Sequence, residues 1–106
     1  MAEFEISILI SGINTPTCAT YFVTKPEFLM GKADSCDAAM SFSEEISREH
    51  AKISWNGSGY TITDLNSLNG TFLNGSMLRP EEPQPLNPGD RIGISTFLFS
   101  VEAIKK

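Results

Sequence analysis

The chain has 106 residues, 41% of them hydrophobic and 20% charged, a balance that fits one globular domain with its own core and excludes a disordered segment. Eight Lys and Arg against thirteen Asp and Glu give a net charge of -5; that field repels nucleic acid and anionic membrane, so any anion the protein binds is held by a local site. Cys18 and Cys36 read as free thiols of a reducing compartment. The acidic start Met1-Ala2-Glu3-Phe4-Glu5 lacks the positive charge of a signal peptide, so a cytosolic location is expected. The uncharged run from Ile6 to Thr24 is broken by Ser, Asn, Thr, Gly and Pro and does not read as a membrane span.

In chain order, Phe4, Ile6, Ile8 and Ile10 alternate with Glu5, Ser7 and Leu9, predicting a first strand with one buried face, followed by a turn from Gly12 to Pro16. Tyr21 to Val23 is a second strand. Phe28 to Met30 is a third, running into Gly31-Lys32, and Ala33 to Ala38 reads as polar loop before a short apolar strand from Ala39 to Phe42. Ala51, Ile53 and Trp55, then Tyr60 and Ile62, alternate with polar residues around Asn56-Gly57-Ser58-Gly59, the chemistry of a hairpin turn. Pairing those two strands antiparallel brings Ile46 to His50 and Asp64 to Thr71 to one end of the sheet. Two loops rich in hydroxyls, amides and glycines then lie side by side, and function is expected there.

Met77 and Leu78 resume the apolar pattern briefly. From Arg79 to Pro85, three prolines and two glutamates argue against regular structure. Asn87-Pro88-Gly89-Asp90 is a strong turn signal; Ile92 and Ile94, then Phe97, Phe99 and Val101, form two last strands with Thr96 at their junction. Apolar residues nowhere hold a helical period, so the chain reads as an all-β antiparallel sandwich, one domain over residues 1 to 106, with first and last strands close together.

Gly31-Lys32, Ser47-Arg48-Glu49-His50 and Asn69-Gly70-Thr71 each sit at a loop edge just beyond a strand. Singly, each is no more than a turn cap or a solvated charge. Together they offer an ammonium, a hydroxyl, a guanidinium, a side-chain amide and free backbone N–H groups, the complement of a phosphate on a peptide. Gly-Lys, Ser-Arg-Glu-His, Asp-Leu-Asn-Ser-Leu-Asn-Gly-Thr-Phe-Leu-Asn-Gly and Leu-Asn-Pro-Gly-Asp-Arg-Ile, in that order from about Phe28 to Val101, resemble the forkhead-associated (FHA) domain, a β-sandwich that binds phosphothreonine.

The resemblance implies a sandwich of about eleven strands that recognises phosphothreonine peptides made by a Ser/Thr kinase, with no catalysis and no cofactor or metal. It assigns phosphate contacts to Lys32, Ser47 and Arg48 and a grip on the peptide backbone to Asn69. Gly31, His50, Gly70, Thr71 and Asn74 shape and steady the loops. The threonine methyl fills a small apolar pocket that phosphoserine leaves empty, a difference of about 1 kcal/mol.

Two departures weaken the expected site: Lys32 stands where the family has a forked guanidinium, and Leu68 where many members have a hydroxyl. With Glu44, Glu45 and Glu49 near Ser47, peptides without acidic flanks are expected to bind best. The alternative is an FHA scaffold that meets its partner without phosphate, through another face. A nucleophile and base formed by Ser47 and His50 ranks far behind, and Asp64 to Gly70 departs from a calcium loop at Leu68 and Gly70.

Overall fold

Alternating burial builds two sheets from short strands. The computed structural model describes residues 6–16 and 19–104. Among them are eleven strands: β1 Ile8–Gly12, β2 Thr20–Phe22, β3 Glu27–Gly31, β4 Ala38–Ala39, β5 Ala51–Trp55, β6 Tyr60–Asp64, β7 Thr71–Leu73, β8 Ser76–Met77, β9 Gln84–Leu86, β10 Arg91–Ile94 and β11 Phe97–Ala103. One sheet runs β2-β1-β11-β10-β7-β8 and the other β4-β3-β5-β6-β9. First and last strands pair, as expected, with Ile10 opposite Val101. The fold is an all-β sandwich, antiparallel apart from a two-residue parallel pairing of β3 with β4 and a single parallel bridge between Asp64 and Pro80.

The core lies between the sheets. Ile8, Ile10, Ile92, Ile94, Phe99 and Val101 come from one side, and Phe28, Met30, Ala51, Ile53, Ile62 and Leu86 from the other. Burying each large aliphatic or aromatic side chain stabilises the fold by about 1.5–3 kcal/mol. At the hairpin, Ala51 faces Asp64 and Ile53 faces Ile62, with Trp55 and Tyr60 tilted together at 4.8 Å. This register sends residues 46–50 and 64–70 out at the same end, as the alternation predicts. Phe42 packs edge-on against Phe97 at 5.0 Å and anchors the segment leading to Ser47 on the opposite sheet.

Several boundaries differ from the sequence reading. The first strand begins at Ile8 and continues through Gly12, paired with Phe99, where a turn was expected; Ile6 is exposed, and Phe4 and Cys18 lie outside the described residues. Of the expected 39–42 strand only Ala39 pairs, together with Ala38 from the segment read as loop. Beyond them Met40 donates its N–H to the Gly31 carbonyl at the end of β3 and turns its side chain into the core. The proline-rich segment ends in β9, with Pro85 opposite Thr61. It is an edge strand, where a missing N–H breaks no ladder.

The largest omission is the β7–β8 hairpin, whose Asn74-Gly75 turn has φ of 51° and 86°. Two left-handed residues in a two-residue loop match the strand twist, and Asn-Gly is the pair that tolerates them. The buried Cys36 carries no disulfide. No helix among the described residues is long and apolar enough to cross a membrane.

Asn74 also reaches sideways. Its Oδ1 accepts the Arg91 N–H at 2.9 Å and its Nδ2 donates to Asp90 at 3.0 Å. Asn74→Ala removes both bonds and places a side chain that disfavours positive φ in the turn. Urea denaturation is expected to show a loss of about 1–3 kcal/mol, while Asn74→Gly loses less than Asn74→Ala.

Candidate functional site

Two loops meet at one end of the sandwich because their backbones are tied to the same buried side chains. Asp64, at the end of β6, is buried; its Oδ1 accepts the hydroxyls of Ser67 at 2.5 Å and Thr71 at 2.6 Å, and its Oδ2 accepts the Ser67 N–H at 3.3 Å. Ser67 Oγ in turn accepts the Gly70 N–H at 3.0 Å. With Asn66 and Gly70 at positive φ, the chain from 64 to 71 coils around one carboxylate. That carboxylate takes two hydroxyls and a main-chain amide, which ties the loop to its own side chains.

His50 joins this loop to the other. It is fully buried, its Nδ1 accepts the Ser47 N–H at 3.0 Å, and its Nε2 lies 2.8 Å from the Gly70 carbonyl. An Nδ1 that accepts leaves the proton on Nε2, so Nε2 donates to Gly70. Burial pushes the imidazole below its ordinary pKa of 6.5, against the opposing pull of the Gly70 carbonyl and of Asp64. Both ring nitrogens serve backbone groups, and neither takes the Ser47 hydroxyl. The arrangement is not a nucleophile and its base.

The remaining ties cross between loops. Ser47 Oγ accepts the Leu68 N–H at 3.0 Å, and Asn69 Nδ2 donates to the Glu45 carbonyl at 2.8 Å. Glu45 Oε1 accepts hydroxyls from Ser95 at 3.0 Å and Thr96 at 3.3 Å, which fixes the first loop to the β10–β11 turn. Beside them, the N–H groups of Lys32 and Ala33 donate to the carbonyls of Ser47 and Arg48 at 2.9 and 3.0 Å. Gly31 is required for this approach: a Cβ there would overlap the Arg48 carbonyl.

The expected residues therefore divide. Gly31, Lys32, Ser47, Arg48, His50, Asn69, Gly70 and Thr71 gather at one end. Asn74 does not; it sits at the far end of β7, about 10 Å from Thr71 at the usual rise per residue, tied to Asp90 and Arg91. Lys32 Nζ is 2.7 Å from Glu44 Oε2, whereas the Arg48 guanidinium forms no ion pair among the described residues. Leu68 is 86% exposed at the lip of the site. The sequence reading missed Asp64, Ser67 and Glu45 as organisers; hydroxyls three and seven residues after an aspartate that ends a strand were the available signal.

The imidazole carries a stability consequence. A neutral folded-state histidine with a lowered pKa takes up its proton less readily than the unfolded chain, whose value is near 6.5, so stability is full above that pH and falls as pH drops below it. Unfolding free energy is expected to decline as pH drops below about 6.5 in the wild type and to change less in His50→Gln. Imidazole nitrogen shifts should show the Nε2–H tautomer above that pH.

Comparison with known proteins agrees with this geometry. The profile of the FHA domain matches residues 28–95. The chain is 42% identical over 64 residues to protein FraH of Nostoc sp. strain PCC 7120, covering 56% of this chain and 22% of FraH. It therefore spans about a fifth of that relative. A structure of Mycobacterium tuberculosis EmbR in complex with a low-affinity phosphopeptide is similar over 96% of this chain and 26% of EmbR, at 25% identity and a TM-score of 0.84. A solved FHA domain studied for phosphothreonine-dependent interactions matches in fold over 94% of this chain and 99% of its own, at 23% identity and a TM-score of 0.81.

Proposed function

Since the chain belongs to the FHA domain family, a family of binding modules, we propose that it acts as a single such domain in the cytosol and recognises phosphothreonine peptides made by a Ser/Thr kinase. The observation that carries this reading is the Ser47 hydroxyl. It accepts the Leu68 N–H, and its proton is taken by none of the described residues. A hydroxyl held in this way is set to donate to an anionic oxygen, and the cations of Lys32 and Arg48 lie at the same end of the sandwich. A phosphothreonine brings a charge of roughly -1.5 to -2 and three strong acceptors to meet them. Asn69 keeps an amide hydrogen beyond its bond to Glu45, and its Oδ1 accepts from none of the described residues, which suits it to a peptide backbone. The phosphopeptide held by EmbR and the phosphothreonine dependence of the second structure support the same assignment.

Calorimetric titration with degenerate phosphothreonine, phosphoserine and unphosphorylated peptide pools tests it. The phosphothreonine pool is expected to bind preferentially, and Ser47→Ala to weaken it by roughly tenfold or more, the effect of one lost hydrogen bond to a charged group. Equal binding of all three pools would overturn the proposal.

A second reading, contact without phosphate, is favoured by one feature. Leu98, Gly93, Phe72 and Met77 lie opposite one another in register across β11, β10, β7 and β8. Phe72 covers Gly93, while Leu98 and Met77 are exposed. On this reading a partner remains bound after Lys32→Ala with Ser47→Ala and is released by Leu98→Glu with Met77→Glu, as measured by pull-down. On the phosphothreonine reading the pattern is reversed.

A further inference from the structure

The ammonium assigned to phosphate already has an anion on it. Lys32 Nζ and Glu44 Oε2 are 2.7 Å apart, with the lysine side chain 28% exposed and the glutamate 92% exposed. The lysine side chain is thus largely covered by the protein, and its partner stands almost wholly in solvent. Lys32 is also fixed at its backbone by the bond to the Ser47 carbonyl.

Glu44 is placed there by its neighbours. On one side, the Ser43 hydroxyl accepts the Glu45 N–H at 3.1 Å, and the Ser43 carbonyl accepts the Ile46 N–H at 3.4 Å. On the other, the Glu45 carbonyl receives Asn69 and its carboxylate receives Ser95 and Thr96. The turn is held at Ser43, Glu45 and Ser47, and the carboxylate between them reaches back to the ammonium. Glu45 has structural partners of its own. Among the described residues Glu44 has none besides Lys32.

We propose that Glu44 is a specificity-determining residue that acts as a built-in competitor for Lys32, displaced by a phosphothreonine and not by a peptide carboxylate. The inference rests on the phosphothreonine reading given above. An ion pair this exposed is worth no more than about a fivefold bias. A phosphothreonine near neutral pH carries up to two charges on three oxygens and exceeds a single carboxylate in its pull on the ammonium. An aspartate or glutamate in an unphosphorylated peptide has the same charge as Glu44 and must reach the site from solution, so it loses to the resident group. Because Glu44 stays beside the site when displaced, it also repels acidic residues that flank the phosphothreonine. The preference against acidic flanks thereby acquires a named source.

The experiment is a calorimetric cycle on wild type, Glu44→Gln, Lys32→Ala and the double variant. Each is titrated with one phosphothreonine peptide and with the same peptide carrying aspartate in place of the phosphothreonine. Glu44→Gln is expected to tighten the phosphothreonine peptide about two- to fivefold and to tighten the aspartate peptide by no more than that factor, since both must displace the same resident group. In the Lys32→Ala background the same substitution is expected to change neither by more than a small fraction of that. Unchanged or weaker binding by Glu44→Gln would overturn the proposal. So would an equal gain with and without Lys32, which would reduce Glu44 to a general repulsive charge. Should the phosphothreonine peptide bind none of the four proteins, the phosphothreonine reading itself fails, a result distinct from either of those.

Discussion

The loop end of this sandwich depends on one neutral imidazole. Among the described residues His50 is the only side chain that bonds the backbone of both loops, accepting from Ser47 and donating to Gly70. A charged imidazole has two donors and no acceptor, so protonation would set a donor against the Ser47 N–H inside the protein. Burial therefore does two things at once: it hides a polar ring that is fully hydrogen-bonded, and it holds that ring in the single protonation state that fits both loops. The Ser47 hydroxyl and the Leu68 and Asn69 amides take their positions from this joint.

Asp64 supplies the complementary constraint within the second loop. Two hydroxyls and two main-chain amides are organised by it directly or through Ser67. The cost of leaving such buried groups without partners makes the loop a closed unit rather than a flexible connection. Rigid elements lie beneath it: β6 ends at Asp64, and β7 begins at Thr71. A preformed pair of loops has little further freedom to lose, which on the proposed phosphothreonine reading leaves charge complementarity available for recognition.

The chain carries a net charge of -5, and at this end two cations, Lys32 and Arg48, stand among three glutamates. Of the glutamates crowding that segment, Glu45 is bound to Ser95 and Thr96 while Glu44 lies on Lys32. The acidic residues differ in consequence: Glu45 fixes the turn, and Glu44 holds the cation. Sequence proximity alone makes them equivalent.

The two-residue alternation around Ile53 and Ile62, the turn at Asn56 to Gly59 and the absence of a helical period were enough to read two sheets. The ordered motifs around Ser47 and Asn69 were enough to read the family. These signals are local: each strand period and turn preference acts over a few residues, so the chain states them directly. The tertiary structure decided what the polar side chains do. Ser47 meets Leu68 across 21 residues, Asn69 meets Glu45 across 24 and Lys32 meets Glu44 across 12. Asn74, expected to help shape the loops, is turned away by the length of β7, and Pro85 joins a strand because that strand is an edge. Such partnerships follow from the register and packing of whole sheets, which no short stretch of sequence contains.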